Sequence, residues 1–119
     1  MATSSAFMEY CIDTLGRGVG NDNLSVRKMF GEYALYYQGV TIGLICNETV
    51  FIKITSFTNT FLKSNQIIPE TGFPYPGAKP WYILDEDLME NFEIIQELFD
   101  GIYEEKEQGE KKKKKRIIK

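Results

Sequence analysis

From Val26 to Ile54 apolar residues recur at about every second position, and the breaks between runs are only one or two residues long. This alternation constrains the chain more than any other feature. A period of two places successive side chains on opposite faces of a strand. Connections this short allow only antiparallel neighbours, because a parallel pair needs a long crossover. Val26–Phe30 reads as one strand and Glu32–Tyr37 as the next, with Tyr33, Leu35 and Tyr37 on one face. After the Gln38-Gly39 turn, Val40–Cys46 reads as a third strand, with Val40, Ile42, Leu44 and Cys46 on one face. Asn47-Glu48 is the next turn, and Thr49–Ile54 alternates Val50, Ile52 and Ile54 against Phe51 and Lys53.

Helices flank this block. Thr3, Ser4 and Ser5 can cap a first helix with an apolar face at Phe7, Cys11 and Leu15. The run Gly16, Gly18 and Gly20 is expected to stop it. That run lacks the spacing of a dinucleotide or phosphate loop, and it follows a helix where such a loop follows a strand. Thr55 or Ser56 begins a short helix through Ser64, with Phe57, Phe61 and Leu62 on its buried face. Residues 66–80 hold all four prolines and read as an ordered loop, with a short strand at Gly72–Tyr75. Trp81–Leu84 is a last strand, and Asp85 caps a final helix to about Tyr103. Leu88, Phe92, Ile95, Phe99 and Ile102 form the apolar stripe of that helix, too short for a coiled-coil seam.

The net charge of −3 conceals a partition. Residues 1–84 carry 6 acids and 6 bases, residues 85–110 carry 11 acids and 1 base, and residues 111–119 carry 7 bases and no acid. The division expected is a globular unit over 1–103 and a charged, disordered tail over 104–119. Histidine is absent, which excludes histidine bases, triads and imidazole metal sites. Cys11 and Cys46 show no CxxC spacing, which argues against zinc and for buried free thiols in a reducing compartment. No apolar run approaches the ~20 residues of a membrane span, and no signal-peptide pattern opens the chain. A cytoplasmic protein, monomeric or dimeric and without a cofactor, is expected. The carboxylates of the last helix fill its solvated face, and no nucleophile stands beside a base, so no enzymatic activity is expected.

Two surfaces remain as candidates. If helices cover the face bearing Leu35, Leu44 and Ile52, the opposite face carries Tyr36, Ile45, Phe51 and Lys53. Such a face either contacts a protein partner or is covered by the proline-rich loop, the tail or a mate subunit. The basic run Lys111, Lys112, Lys113, Lys114, Lys115 and Arg116 can contact nucleic acid non-specifically or an anionic membrane surface, or fold back loosely on the acidic helix before it. It lacks the interleaved aromatics that stack on bases.

Met29-Phe30-Gly31-Glu32-Tyr33, Gly39, Gly43-Leu44 and Phe51-Ile52-Lys53-Ile54 occur in that order, followed by Phe73, Tyr75 and Trp81-Tyr82. This pattern resembles the N-terminal domain of the TfoX/Sxy family over about residues 7–100. Glu32 stands where the family has a second glycine, Phe51 where tyrosine is usual, and Asp85 where a proline often begins the last helix. Full-length competence regulators of the family add a helical C-terminal domain, and here a charged tail takes its place. The resemblance implies an α+β fold: an antiparallel sheet of four to six strands packed on helices in two layers, similar to secretion-chaperone-like folds. It also implies a regulatory role in transcription of DNA-uptake competence genes, through a protein partner such as the cyclic-AMP receptor protein. Within the pattern, Gly31 is expected at a positive φ or a bulge. Met29 and Phe30 are expected to cap the core, Gly39 to form a tight turn, and Lys53 to point away from the core as a contact residue.

Overall fold

The computed structural model describes residues 3–118, with side chains through residue 108. Three two-residue loops organise its sheet. Phe30 and Gly31 have φ of 50° and 82°, Gln38 and Gly39 have 49° and 81°, and Asn47 and Glu48 have 51° and 58°. Positive φ at both central residues is the hairpin turn whose twist matches antiparallel strands. These loops join β1 (Leu24–Met29), β2 (Glu32–Tyr37), β3 (Val40–Cys46) and β4 (Thr49–Ile52). The chain then passes through α2 (Ser56–Ser64) and a proline-rich segment. It returns as β5 (Thr71–Gly72) and β6 (Trp81–Leu84). β6 pairs with β4, giving one six-stranded antiparallel sheet in the order β1-β2-β3-β4-β6-β5. The α+β class and sheet implied by the resemblance are those observed.

The helices cover one face of this sheet. α1 (Ser5–Val19) is capped by the Ser4 hydroxyl, which accepts from the Phe7 N–H at 3.1 Å. α2 begins with a reciprocal capping box between Thr55 and Thr58. α3 (Glu86–Met89) is capped by Asp85, which accepts from the Leu88 N–H at 2.9 Å. α4 spans Phe92–Ile118. Leu15 of α1 and Ile95, Phe99 and Ile102 of α4 close over Leu35, Ile52 and Leu84 of the sheet as one buried cluster. Both cysteines are free and buried, as expected. Burial, with Glu48 nearby, pushes the Cys11 thiol up to about 12, and burial with Glu32 nearby pushes Cys46 up to about 11. Neither presents a thiolate at neutral pH.

Four details differ from the expectations. First, β3 contains a bulge. Leu35 pairs with Gly43 but Tyr36 pairs with Thr41, so Ile42 is an extra residue. The alternation therefore shifts phase midway. Ile42 and Ile45 both enter the helix-side core at 3% and 0% exposure, and Leu44 turns to the open face opposite Ala34 and Phe51. Ile45 is thus not a contact residue. Gly43 is required at the bulge, because a Cβ there would lie 2.1 Å from the Phe51 carbonyl oxygen.

Second, Gly16 and Gly18 do not stop α1, which ends only at Gly20 with φ of 90°. Gly18 faces α4, where a Cβ would sit 3.0 Å from the Phe92 carbonyl oxygen, so glycine permits close helix approach. Third, the final helix is broken after Met89, which lets α3 and α4 direct separate apolar faces at the core. Phe92, at the new start, is 38% exposed. The α4 backbone then continues through Ile118, past the boundary expected near Tyr103. Glu, Gln and Lys are good helix formers, and acids before bases complement the helix dipole. The side chains of Lys111, Lys112, Lys113, Lys114, Lys115 and Arg116 lie outside the described residues. Fourth, Met29 and Phe30 do not cap the core: Met29 is 40% exposed, and Phe30 projects from the first hairpin at 104% relative exposure. Among the described residues no helix is long and apolar enough to cross a membrane.

Candidate functional site

The strand register places Ala34, Leu44, Phe51 and Ile83 side by side on the face away from the helices. Phe51 sits at the centre of this row and is only 5% exposed, so it is covered and is not the contact residue expected from the sequence. Its ring is roofed by Gly72, where an added Cβ would come within 3.3 Å of it. The edge strand β5 thus packs against one part of the open face.

Beyond Phe51 the cover lifts, and a groove of about 1000 Å³ opens between the first hairpin and the proline-rich segment. Met29 and Phe30 form one wall, and Phe73, Tyr75 and Trp81 the other. Leu44 and Cys46 lie on the sheet between them. The walls are unusually apolar for a surface: Phe30, Phe73 and Tyr75 are exposed by 104%, 66% and 53%. Pro74 and Pro76 flank Tyr75 and limit the backbone freedom lost on contact. The segment is tied down by the Ala78 N–H donating to Tyr75 O at 3.1 Å and the Ile83 N–H to Glu70 O at 2.8 Å. Phe30 holds a left-handed φ that costs a bulky residue strain, yet its ring gains no burial in return. Its place on the rim of an apolar groove gives that conformation a use.

Glu32 closes one end of the groove. Its carboxylate accepts from the Thr3 N–H at 2.8 Å, and from the Asn47 N–H at 3.3 Å and 3.2 Å to its two oxygens. Burial pushes the Glu32 carboxyl up, but these hydrogen bonds outweigh it and hold the group below the ordinary glutamate range. Thr3, buried beside it, donates its hydroxyl to Ile45 O at 3.4 Å and accepts from the Glu48 N–H at 3.3 Å.

The other residues singled out in the sequence are distributed around this site. Tyr36 is half-buried on the open face with the Arg27 guanidinium 5.9 Å from its ring centroid. Lys53 is exposed just past β4, and its carbonyl accepts from the Thr58 hydroxyl at 3.0 Å. Gly31 has the expected positive φ, and Gly39 forms the second turn. Tyr33 is buried in the core cluster and also borders the groove. Phe73, Tyr75 and Trp81 were visible in sequence only as part of the family pattern. The aromatic–proline alternation Phe73-Pro74-Tyr75-Pro76 was the signal that could have marked them as a wall. The motif residues Met29 and Phe30 are joined to that wall only by the fold.

Among the described residues the groove lining is mostly apolar and carries one carboxylate, Glu32, a composition suited to holding a segment of another molecule. Among the described residues no group of three or more His, Cys, Asp or Glu can hold a metal ion.

The sequence matches the TfoX N-terminal domain over residues 18–105. It is also 34% identical over 98 residues to an uncharacterised 12.7 kDa protein in the trpE 5′ region of Spirochaeta aurantia, covering 82% of this chain and 78% of that one. With the six-stranded sheet and its Met-Phe-Gly hairpin, these matches show that the chain belongs to the TfoX N-terminal domain family.

Proposed function

We propose that this chain is a non-enzymatic protein-interaction module that acts in the cytoplasm and modulates transcription through a protein partner held in the open-face groove. The observation that carries the reading is the exposed apolar rim of Phe30, Phe73 and Tyr75 around a groove of about 1000 Å³. Exposed apolar groups gathered on one rigid surface favour burial against a partner, at about 25 cal/mol per Å² removed from water. Aromatic side chains supply much of the energy at such interfaces. Family membership supports the transcriptional part of the reading, and it makes the cyclic-AMP receptor protein the first partner to test.

The test is a paired substitution, Phe30→Ser with Tyr75→Ser, in the full chain. Both side chains are exposed, so the circular dichroism spectrum and melting temperature should be retained. Affinity purification from native lysate, and titration with purified cyclic-AMP receptor protein, should then show lost or strongly weakened binding. Unchanged partners and affinities in a folded variant would overturn the groove as the contact surface.

A further inference from the structure

We propose that the groove is selective for a protein segment bearing a basic side chain flanked by apolar ones, with Glu32 receiving the charge and the aromatic walls receiving the rest. This deepens the reading above and rests on it. Among the described residues lining the groove, Glu32 carries the only formal charge, and the walls offer Phe30, Phe73, Tyr75 and Trp81. A cation is attracted both by a carboxylate and by an aromatic face. The same sheet face already shows this preference in miniature, where Arg27 lies over Tyr36.

The carboxylate is built to receive a charge. Backbone N–H groups from Thr3 and Asn47 fix its position, so little ordering remains to be done on binding. Two carboxylate oxygens offer about four acceptor sites, and the three contacts present leave room for another donor. Those hydrogen bonds also favour the ionised form of the group. The alternatives fare worse. An acidic segment would set a second carboxylate beside Glu32. A wholly apolar segment would strip water from Glu32 without a compensating charge. The resemblance puts a glycine at this position in the family, so the charge preference is a property of this chain.

The experiment begins with a random peptide library displayed on phage, selected against the full chain and counter-selected against the Phe30→Ser, Tyr75→Ser variant. Recovered peptides are then titrated by the emission of Trp81, the single tryptophan of the chain and a groove residue. The expected result is a shared Arg or Lys bracketed by apolar residues, with affinity falling as salt is raised. Glu32→Gln, which keeps an oxygen for the Thr3 N–H, should weaken these peptides roughly tenfold or more, the range of a charge-assisted hydrogen bond. Replacing the peptide's basic residue by Gln should cost about the same, and the two losses should not add. Peptides without a basic residue, or affinities indifferent to both salt and Glu32→Gln, would overturn the charge selectivity and leave the groove reading standing. Failure to recover any peptide above the counter-selected background would overturn both. The salt titration on the unaltered chain decides the matter even where Glu32→Gln loosens the N-terminal segment.

Discussion

Phe30 illustrates a residue whose local cost makes sense only through what it does elsewhere. The first position of a two-residue hairpin with positive φ favours Asn, Asp or Gly, and an aromatic side chain there is strained. Since the ring is fully exposed, Phe30→Asn removes no packing. Urea unfolding should show the variant more stable by about 1 kcal/mol, while binding at the groove weakens. Lower stability in the variant would mean that Phe30 packs somewhere it is not seen to pack. Glu32 makes a different prediction, one of pH. A carboxyl held below its ordinary value in the fold stabilises the fold above the unfolded-chain value of about 4.3. That contribution is lost as pH falls through the depressed folded value. The difference in urea midpoint between the parent and Glu32→Gln should therefore be largest near neutral pH and shrink on acidification. A difference that stays constant would show that the hydrogen bonds to Thr3 and Asn47 do not favour the charged form.

At the scale of elements, the hairpins were legible and the bulge was not. Gln38-Gly39 and Asn47-Glu48 interrupt alternating runs, and both became turns with the expected pairing. In the run Val40–Cys46 only the apolar Ile45 breaks the alternation, and that alone does not mark Ile42 as an extra residue. Only Gly43 hints at it, and the reason is tertiary: the Phe51 carbonyl occupies the space of its side chain. A one-residue slip moves every later side chain to the other face, and this is why Ile45 and Leu44 exchanged roles. The groove was half legible for a similar reason, since its two walls come from segments some forty residues apart in the chain. Contacts between elements make a further prediction. The Tyr37 hydroxyl, at the end of β2, donates to Asp100 Oδ1 of α4 at 2.5 Å, and Gln96 Nε2 donates to Tyr37 at 3.4 Å. Burial together with Asp100 raises the Tyr37 hydroxyl above its ordinary value, which keeps it a donor. Tyr37→Phe retains the edge-on ring contacts with Phe99 and Tyr103 and removes the hydroxyl's two hydrogen bonds, to Asp100 and from Gln96. Thermal denaturation should register a loss of about 1 kcal/mol. An unchanged melting temperature would show that water replaces the bonds without cost.

The whole molecule divides its work between two faces of one sheet. One face is sealed by α1, α3 and α4. The other is roofed over Phe51 and open over the groove. Charge is divided differently, along the chain. The sheet-bearing part through residue 84 balances 6 acids with 6 bases, and the strongly charged runs all lie after it. The lining of the groove is accordingly aromatic, with Glu32 the one carboxylate among its described residues. The most direct test is to install a photo-crosslinking phenylalanine analogue at position 30 in the full chain in cells, with the same analogue at Ile68 as control. Ile68 is 95% exposed and lies outside the groove. The expected result is a discrete protein adduct from position 30, absent from position 68 and lost with Tyr75→Ser. No adduct at position 30, or the same adducts from both positions, would contradict the open-face groove as the site where this chain meets its partner.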